Sequence, residues 1–304
     1  MKRFILLSVL VFWYSGCSHT KQTSSQEENI CLVLSVGGAK GFAHIGAIDA
    51  LKELNVEIDY VYGNSAGALV GGIYSANPKS DLIKVTNKLF SEYRKETENA
   101  KKEGLASGAT SGLLFGTILS FVTGGVLGWE TILASGASGY FSYKDIENLD
   151  LDRVQNVLNK YFKNQSIEDL PIMFATSYQD VTKTGNPIET VSTGNLASAI
   201  CNSMDNPMIF KKPVKQINYL DPGLDRMAAT PIYDAIQHFK PTKIIAINVT
   251  GEKATYHDSD KIEIVEIMAY PIDNLQEDDL KVLPQLIRKN YEIGYNVVMN
   301  NFSN

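Results

Sequence analysis

Three short stretches of this chain carry groups suited to chemistry. The first is "YVYGNSAGA", in which Gly63, Ser65 and Gly67 form a G-x-S-x-G pattern. Residues 58–62 alternate and are rich in β-formers, and residues 65–76 are small and apolar. The serine therefore falls between a strand and a helix. That is the context of a nucleophile elbow, a tight turn that lifts a serine hydroxyl above a helix N-terminus. The plainer reading of the same residues is a close-packing glycine turn.

A serine needs a base to take its proton. The chain has four histidines. His19 lies near the N-terminus in a polar tether. His44 falls among apolar residues of a helical run and reads as a packed structural residue. His238 and His257 follow the serine, as a Ser…Asp…His order would need. His238 closes a helical run, where the helix dipole favours a histidine for no catalytic reason. The second stretch, "NYLDPGLDRM", offers Asp221 instead. A strand delivers it to a Pro222-Gly223 turn, where burial would raise its pKa toward useful basicity. The same three residues also read as a plain turn. Residue chemistry alone leaves these bases open.

The third stretch is "SVGGAKG", with Gly37, Gly38, Ala39, Lys40 and Gly41 between an apolar strand and a helix. A Walker loop needs four residues between its glycines and then Lys-Ser/Thr, and a dinucleotide fingerprint needs G-x-G-x-x-G. Both spacings fail. A row of backbone N–H groups that an oxyanion can approach closely fits.

Two strand–helix units in succession predict an α/β fold with a largely parallel sheet. Further along, residues 79–102 read as a charged helix and 145–161 as an amphipathic one. Residues 171–193 read as two strands around a Lys-Thr-Gly-Asn turn, and 196–203 as a short helix. "QINYLDPGL" reads as a strand ending in a turn, "TKIIAINVT" as an apolar strand, and 279–301 as a final helix.

The three stretches, in this order, resemble the patatin-like phospholipases. The likeness runs from about Cys31 to about Thr250. It implies a three-layer α/β/α fold around a mostly parallel central sheet. It also implies a Ser–Asp dyad, with Ser65 as nucleophile and Asp221 as base. Gly63 and Gly67 match the elbow glycines. Gly37 and Gly38 match the oxyanion-hole glycines, with Ala39 and Lys40 beside them; Lys40 holds a position that is usually arginine. The implied activity is hydrolysis of carboxylic esters of lipids, of phospholipase A, lysophospholipase or esterase type, with no metal or organic cofactor. Some positions depart from the family pattern. Val36 stands where a third glycine is usual, and Pro222 follows the aspartate. Cys201-Asn202-Ser203 replaces Arg-Ala-Ser, and Asp205 and Asn206 replace small or apolar residues. The alternative is a catalytically weakened member that binds lipid or a partner protein.

The chain has 304 residues, 44% hydrophobic and 20% charged, enough to bury a core. A net charge of −6 without a basic stripe argues against a nucleic-acid partner. Residues 1–16 read as a lipoprotein signal, with basic residues, a short apolar run, and then Cys17 as the lipidation site. An ordinary secretory signal with an incidental cysteine is the alternative. Residues 17–29 read as a flexible tether, and 30–304 as the catalytic domain. The expected place is the bacterial cell envelope, on the outer membrane or its periplasmic face, held by the N-terminal lipid. Cys31 and Cys201 read as buried free thiols, and no cysteine or histidine spacing suits a metal. Residues 104–129 carry no charge and many glycines. A transmembrane helix, a buried hairpin, and a lid or membrane-touching insertion over 104–140 compete, and the last is preferred.

Overall fold

The computed structural model describes residues 28–102, 150–206, 210, 218–256, 262–270 and 283–302. The segments read as signal, tether (up to residue 27) and 104–140 insertion, with Cys17, His19 and His257, lie outside the described residues.

The fold grows from β1 (Ile30–Leu34), whose five residues are all buried. Leu32 and Leu34 join one apolar cluster, while Cys31 and Val33 join a second one on the opposite face. A strand covered on both faces has no side to give to polar residues, so it reads as one apolar run. β6 (Lys243–Asn248) repeats the pattern, with Ile245 and Ile247 in the first cluster and Ile244 and Ala246 in the second.

The remaining strands are β2 (Tyr60–Gly63), β3 (Met173–Asp180), β4 (Ile188–Val191), β5 (Tyr219–Leu220) and β7 (Glu263–Met268). The described strands form one sheet in the order β4-β3-β2-β1-β6-β7, and β5 pairs with β3. The pairs β1–β2, β1–β6, β2–β3 and β6–β7 are parallel. β4 and β5 run antiparallel to β3. The architecture is the expected α/β arrangement, a mostly parallel sheet flanked by helices.

The first cluster takes in residues of α1 (Phe42–Glu53), α2 (Ala66–Ala76), α3 (Leu82–Lys102), α4 (Leu151–Phe162), α5 (Leu196–Ser203) and α8 (Leu283–Phe302). Two short helices follow β5: α6 (Arg226–Ala229) and α7 (Ile232–Phe239). Ile232 and Ala235 of α7 cover the second cluster, and Tyr60 stacks on Phe239 at 4.8 Å between ring centroids. Sequence reading placed most of these elements. It gave no strand at β7, and it made β5 longer than the two residues observed. Cys31 and Cys201 are buried and form no disulfide, as expected. Among the described residues no helix is long and apolar enough to cross a membrane.

Candidate active site

Parallel strands deliver their loops to one edge of the sheet, and ligands bind at that carboxyl edge. β1 ends there in the glycine loop and β2 ends there in the serine turn. Leu34 pairs in register with Gly63, so the two loops start level with each other.

The serine turn is strained. Ser65 has φ 53° and ψ −118°, in the positive-φ region that L side chains rarely adopt. Its glycine neighbours are forced by contact. A Cβ on Gly63 would collide with the Gly67 carbonyl, and one on Gly67 would collide with the Leu34 carbonyl. The turn is held by Asn64 N–H to Leu34 O at 3.2 Å and Gly67 N–H to Asn64 O at 2.8 Å. Ser65 N–H donates to the Ser203 hydroxyl at 3.0 Å. That bond ties the serine's backbone to the end of α5. Ser203 is a partner that the sequence reading noticed only as part of a departing motif.

The Ser65 side chain lies where it favours the ionised form of the Asp221 carboxylate. Asp221 is buried, and burial drives its pKa up from 3.8 to about 6. The Ser65 side chain opposes the rise, as does the bond from Gly223 N–H at 2.8 Å. The negative charge of Asp205 adds to it. Asp205 also accepts Asp221 N–H through its own carbonyl at 3.0 Å. The carboxylate is thus held ionisable near neutral pH, the range a general base needs.

The glycine loop has a legible donor count. Ser35 N–H goes to Ile247 O, Val36 N–H to Ala229 O, and Lys40 N–H to Gly37 O. Among the described residues, no bond is seen from the N–H groups of Gly37 and Gly38, which lead into the 3₁₀ turn beside the strained serine's helix. Lys40 is buried and its N–H is spent within the loop, so it adds no backbone donor to that row. Gly38 has φ 51°, and a Cβ on Gly37 would strike the Val249 side chain.

Both departures that touch this region have a structural reason. Val36 stands where a glycine was expected, but its N–H is bound to Ala229 and is not in the donor row. Its side chain packs on the aspartate turn: a Cβ on Gly223 would lie 2.7 Å from Val36 Cγ1. Pro222 opens a 3₁₀ turn capped by the Asp221 side chain. A first-turn N–H has no partner within the helix, so a proline there costs no helical bond.

His44 and His238 lie elsewhere. His44 is fully buried, with Nε2 2.9 Å from Ser35 O, and burial lowers its pKa to about 4. It is a neutral donor beneath the glycine loop. His238 packs edge-on against Tyr62, and partial burial lowers its pKa.

The family model for patatin-like phospholipases matches residues 32–235. The chain belongs to that family. All three loops lie inside the matched range. A patatin-like phospholipase domain-containing protein of Caenorhabditis elegans is 44% identical over 54 residues, covering 18% of this chain and 4% of that protein. A lysophospholipase of Neurospora crassa is 48% identical over 58 residues, covering 19% of this chain and 4% of the relative. The chain thus spans a small part of the length of the curated relatives it matches. The crystal structure of VipD from Legionella pneumophila is similar at a TM-score of 0.42 and 16% identity, covering 90% of this chain and 66% of that one. β6, β7 and α8 lie beyond the matched residues. Yet β6 pairs with β1, and Val249 N–H just after it donates to the Ser35 hydroxyl at 3.0 Å. This patatin-like chain therefore positions its glycine loop partly with residues outside the family's matched segment.

Proposed function

We propose that the protein is a serine lipid acyl hydrolase, of phospholipase A, lysophospholipase or esterase type, that works with a Ser65–Asp221 dyad. What supports this reading is a strained serine turn whose side chain favours the ionised form of the buried Asp221 carboxylate, with pKa about 6. Asp221 takes the Ser65 proton as Oγ attacks the ester carbonyl. The carbonyl oxygen becomes an oxyanion and is received by the N–H groups of Gly37, Gly38 and Ala39. Collapse breaks the ester bond, and Asp221 returns its proton to the leaving alcohol. Asp221 then deprotonates a water that attacks the acyl-serine. The second tetrahedral intermediate collapses, and the proton passes back to Ser65 as the fatty acid leaves. The chain's own residues serve every step, and no cofactor is required by the chemistry.

Membership of the patatin-like family supports a lipid ester as substrate. The signal-like N-terminus and Cys17 support an enzyme tethered to an envelope membrane, where its substrate is concentrated. The test is labelling of Ser65 with a fluorophosphonate, alongside fatty-acid release from phospholipid vesicles. Labelling of wild type, with slow labelling of Asp221→Asn, is the expected result. A folded wild-type protein that resists the probe would replace this reading with a lipid- or partner-binding one.

A further inference from the structure

The residue between Gly63 and Ser65 does more than fill the pattern. Asn64 is fully buried and both ends of its amide are used. Oδ1 accepts the Ser177 N–H and the Ser177 hydroxyl, each at 3.0 Å. Nδ2 donates to Ala228 O at 2.9 Å, across 164 residues of sequence. Ser177 belongs to β3. Ala228 belongs to the short helix that follows Asp221, and that helix is chained back to the aspartate turn through Asp225 N–H to Pro222 O at 2.9 Å and Ala228 N–H to Asp225 O at 3.1 Å. The next carbonyl, Ala229 O, accepts Val36 N–H from the glycine loop at 2.8 Å.

We propose that Asn64 is a positioning residue whose side-chain amide locks the nucleophile turn to the segment carrying the base. The inference rests on the reading of Ser65 and Asp221 as nucleophile and base. Its physical reason is strain. A non-glycine residue at φ 53° persists only when its surroundings over-determine it. The dyad must also keep one donor–acceptor distance between two loops that are far apart in sequence. A side chain with one donor end and one acceptor end can span that gap, and an amide has both in a fixed plane. Asn64 does not touch the reacting atoms; it acts through the Ser65 backbone on one side and the Asp221 turn on the other.

The experiment compares wild type, Asn64→Ala and Asn64→Asp in fatty-acid release. Rates are normalised to the serine that a fluorophosphonate finally labels, so unfolded protein does not count. Asn64→Ala is expected to lower kcat per labelled site by about 10- to 100-fold, with KM changed less than about threefold. Asn64→Asp keeps the acceptor toward Ser177 and can donate to Ala228 O only while the new carboxyl is protonated. Its kcat is therefore expected to fall as pH rises from 6 to 9, over a range where wild type climbs to a plateau. A residue that merely stabilised the fold would lower the labelled fraction and leave kcat and its pH profile unchanged. That outcome overturns the proposal. If the alanine variant does not fold, the Asn64→Asp profile decides alone: a profile matching wild type overturns the lock, and a falling or uniformly depressed one supports it. A wild type that the probe does not label would overturn the dyad reading and this inference with it, and is distinguished by failing before any variant is made.

Discussion

Replacing Asp221 with asparagine should make the protein more stable and nearly inactive at once. The buried carboxylate has its pKa raised from 3.8 to about 6, chiefly by desolvation. At 1.36 kcal/mol per pKa unit, that rise means the ionised form costs about 3 kcal/mol in the folded state. The sign follows from the direction. The folded state binds its proton more tightly than the unfolded one. The penalty is therefore full above pH 6, shrinks between 6 and 3.8, and is gone below 3.8. Asparagine is neutral and near in shape, so it removes the penalty. It has one acceptor oxygen for the Ser65 and Gly223 donors where the carboxylate has two, which gives back about 1 kcal/mol. The net gain is about 2 kcal/mol at pH 8, or roughly 4–8 °C in Tm at the ~2–4 °C per kcal/mol of large domains. The variant should also lose about 10²–10⁴ in kcat, the range of a general base. Thermal unfolding at pH 8 and at pH 4, with ester hydrolysis at pH 8, measures both. The two proteins should differ at pH 8 and nearly converge at pH 4. An asparagine variant no more stable than wild type at pH 8 would refute the desolvation argument. One that hydrolysed esters within a few-fold of wild type would refute the base.

Three further outcomes follow from the same geometry. For wild type, kcat/KM should rise with pH through about 6 and level above 7, because Asp221 acts only when ionised; a profile that fell through this range would point to a different base. Val36→Gly should not improve activity, since position 36 lends its N–H to Ala229. It should cost about 1–3 kcal/mol, read as a drop in denaturation midpoint, because it empties the contact with Gly223 and adds backbone freedom. Gly37→Ala should depress activity by at least tenfold through its clash with Val249, and adding Val249→Ala should restore much of it; failure of the double variant to recover would show that the loop needs glycine for another reason.

The elements were largely legible because local signals agreed. β1 and β6 are apolar runs, as a doubly covered sheet requires, and the Gly185-Asn186 turn, with positive φ at both residues, sits between β3 and β4. β7 went unread because "EIVEIM" carries two glutamates in a short run that looks like a surface stretch. Glu266 is nevertheless taken up by Asn248 Nδ2 at 2.7 Å and Ala254 N–H at 2.8 Å. His44 read correctly as a structural residue, but only its contact with Ser35 O places it beneath the glycine loop.

The sequence by itself determined the chemistry on offer. A glycine-flanked serine, a glycine loop and an aspartate at a turn are local facts, fixed by which backbone shapes and side chains those residues allow. It left open which base the serine meets, because Ser65 and Asp221 are distant in the chain and His238 and His257 also follow the serine. Nor could it decide whether Val36 and Pro222 damage the site. Those questions turn on which N–H groups are already spent and which side chains lie in contact. Such contacts exist only once β1, β2 and the segment after β5 are brought to one edge of the sheet.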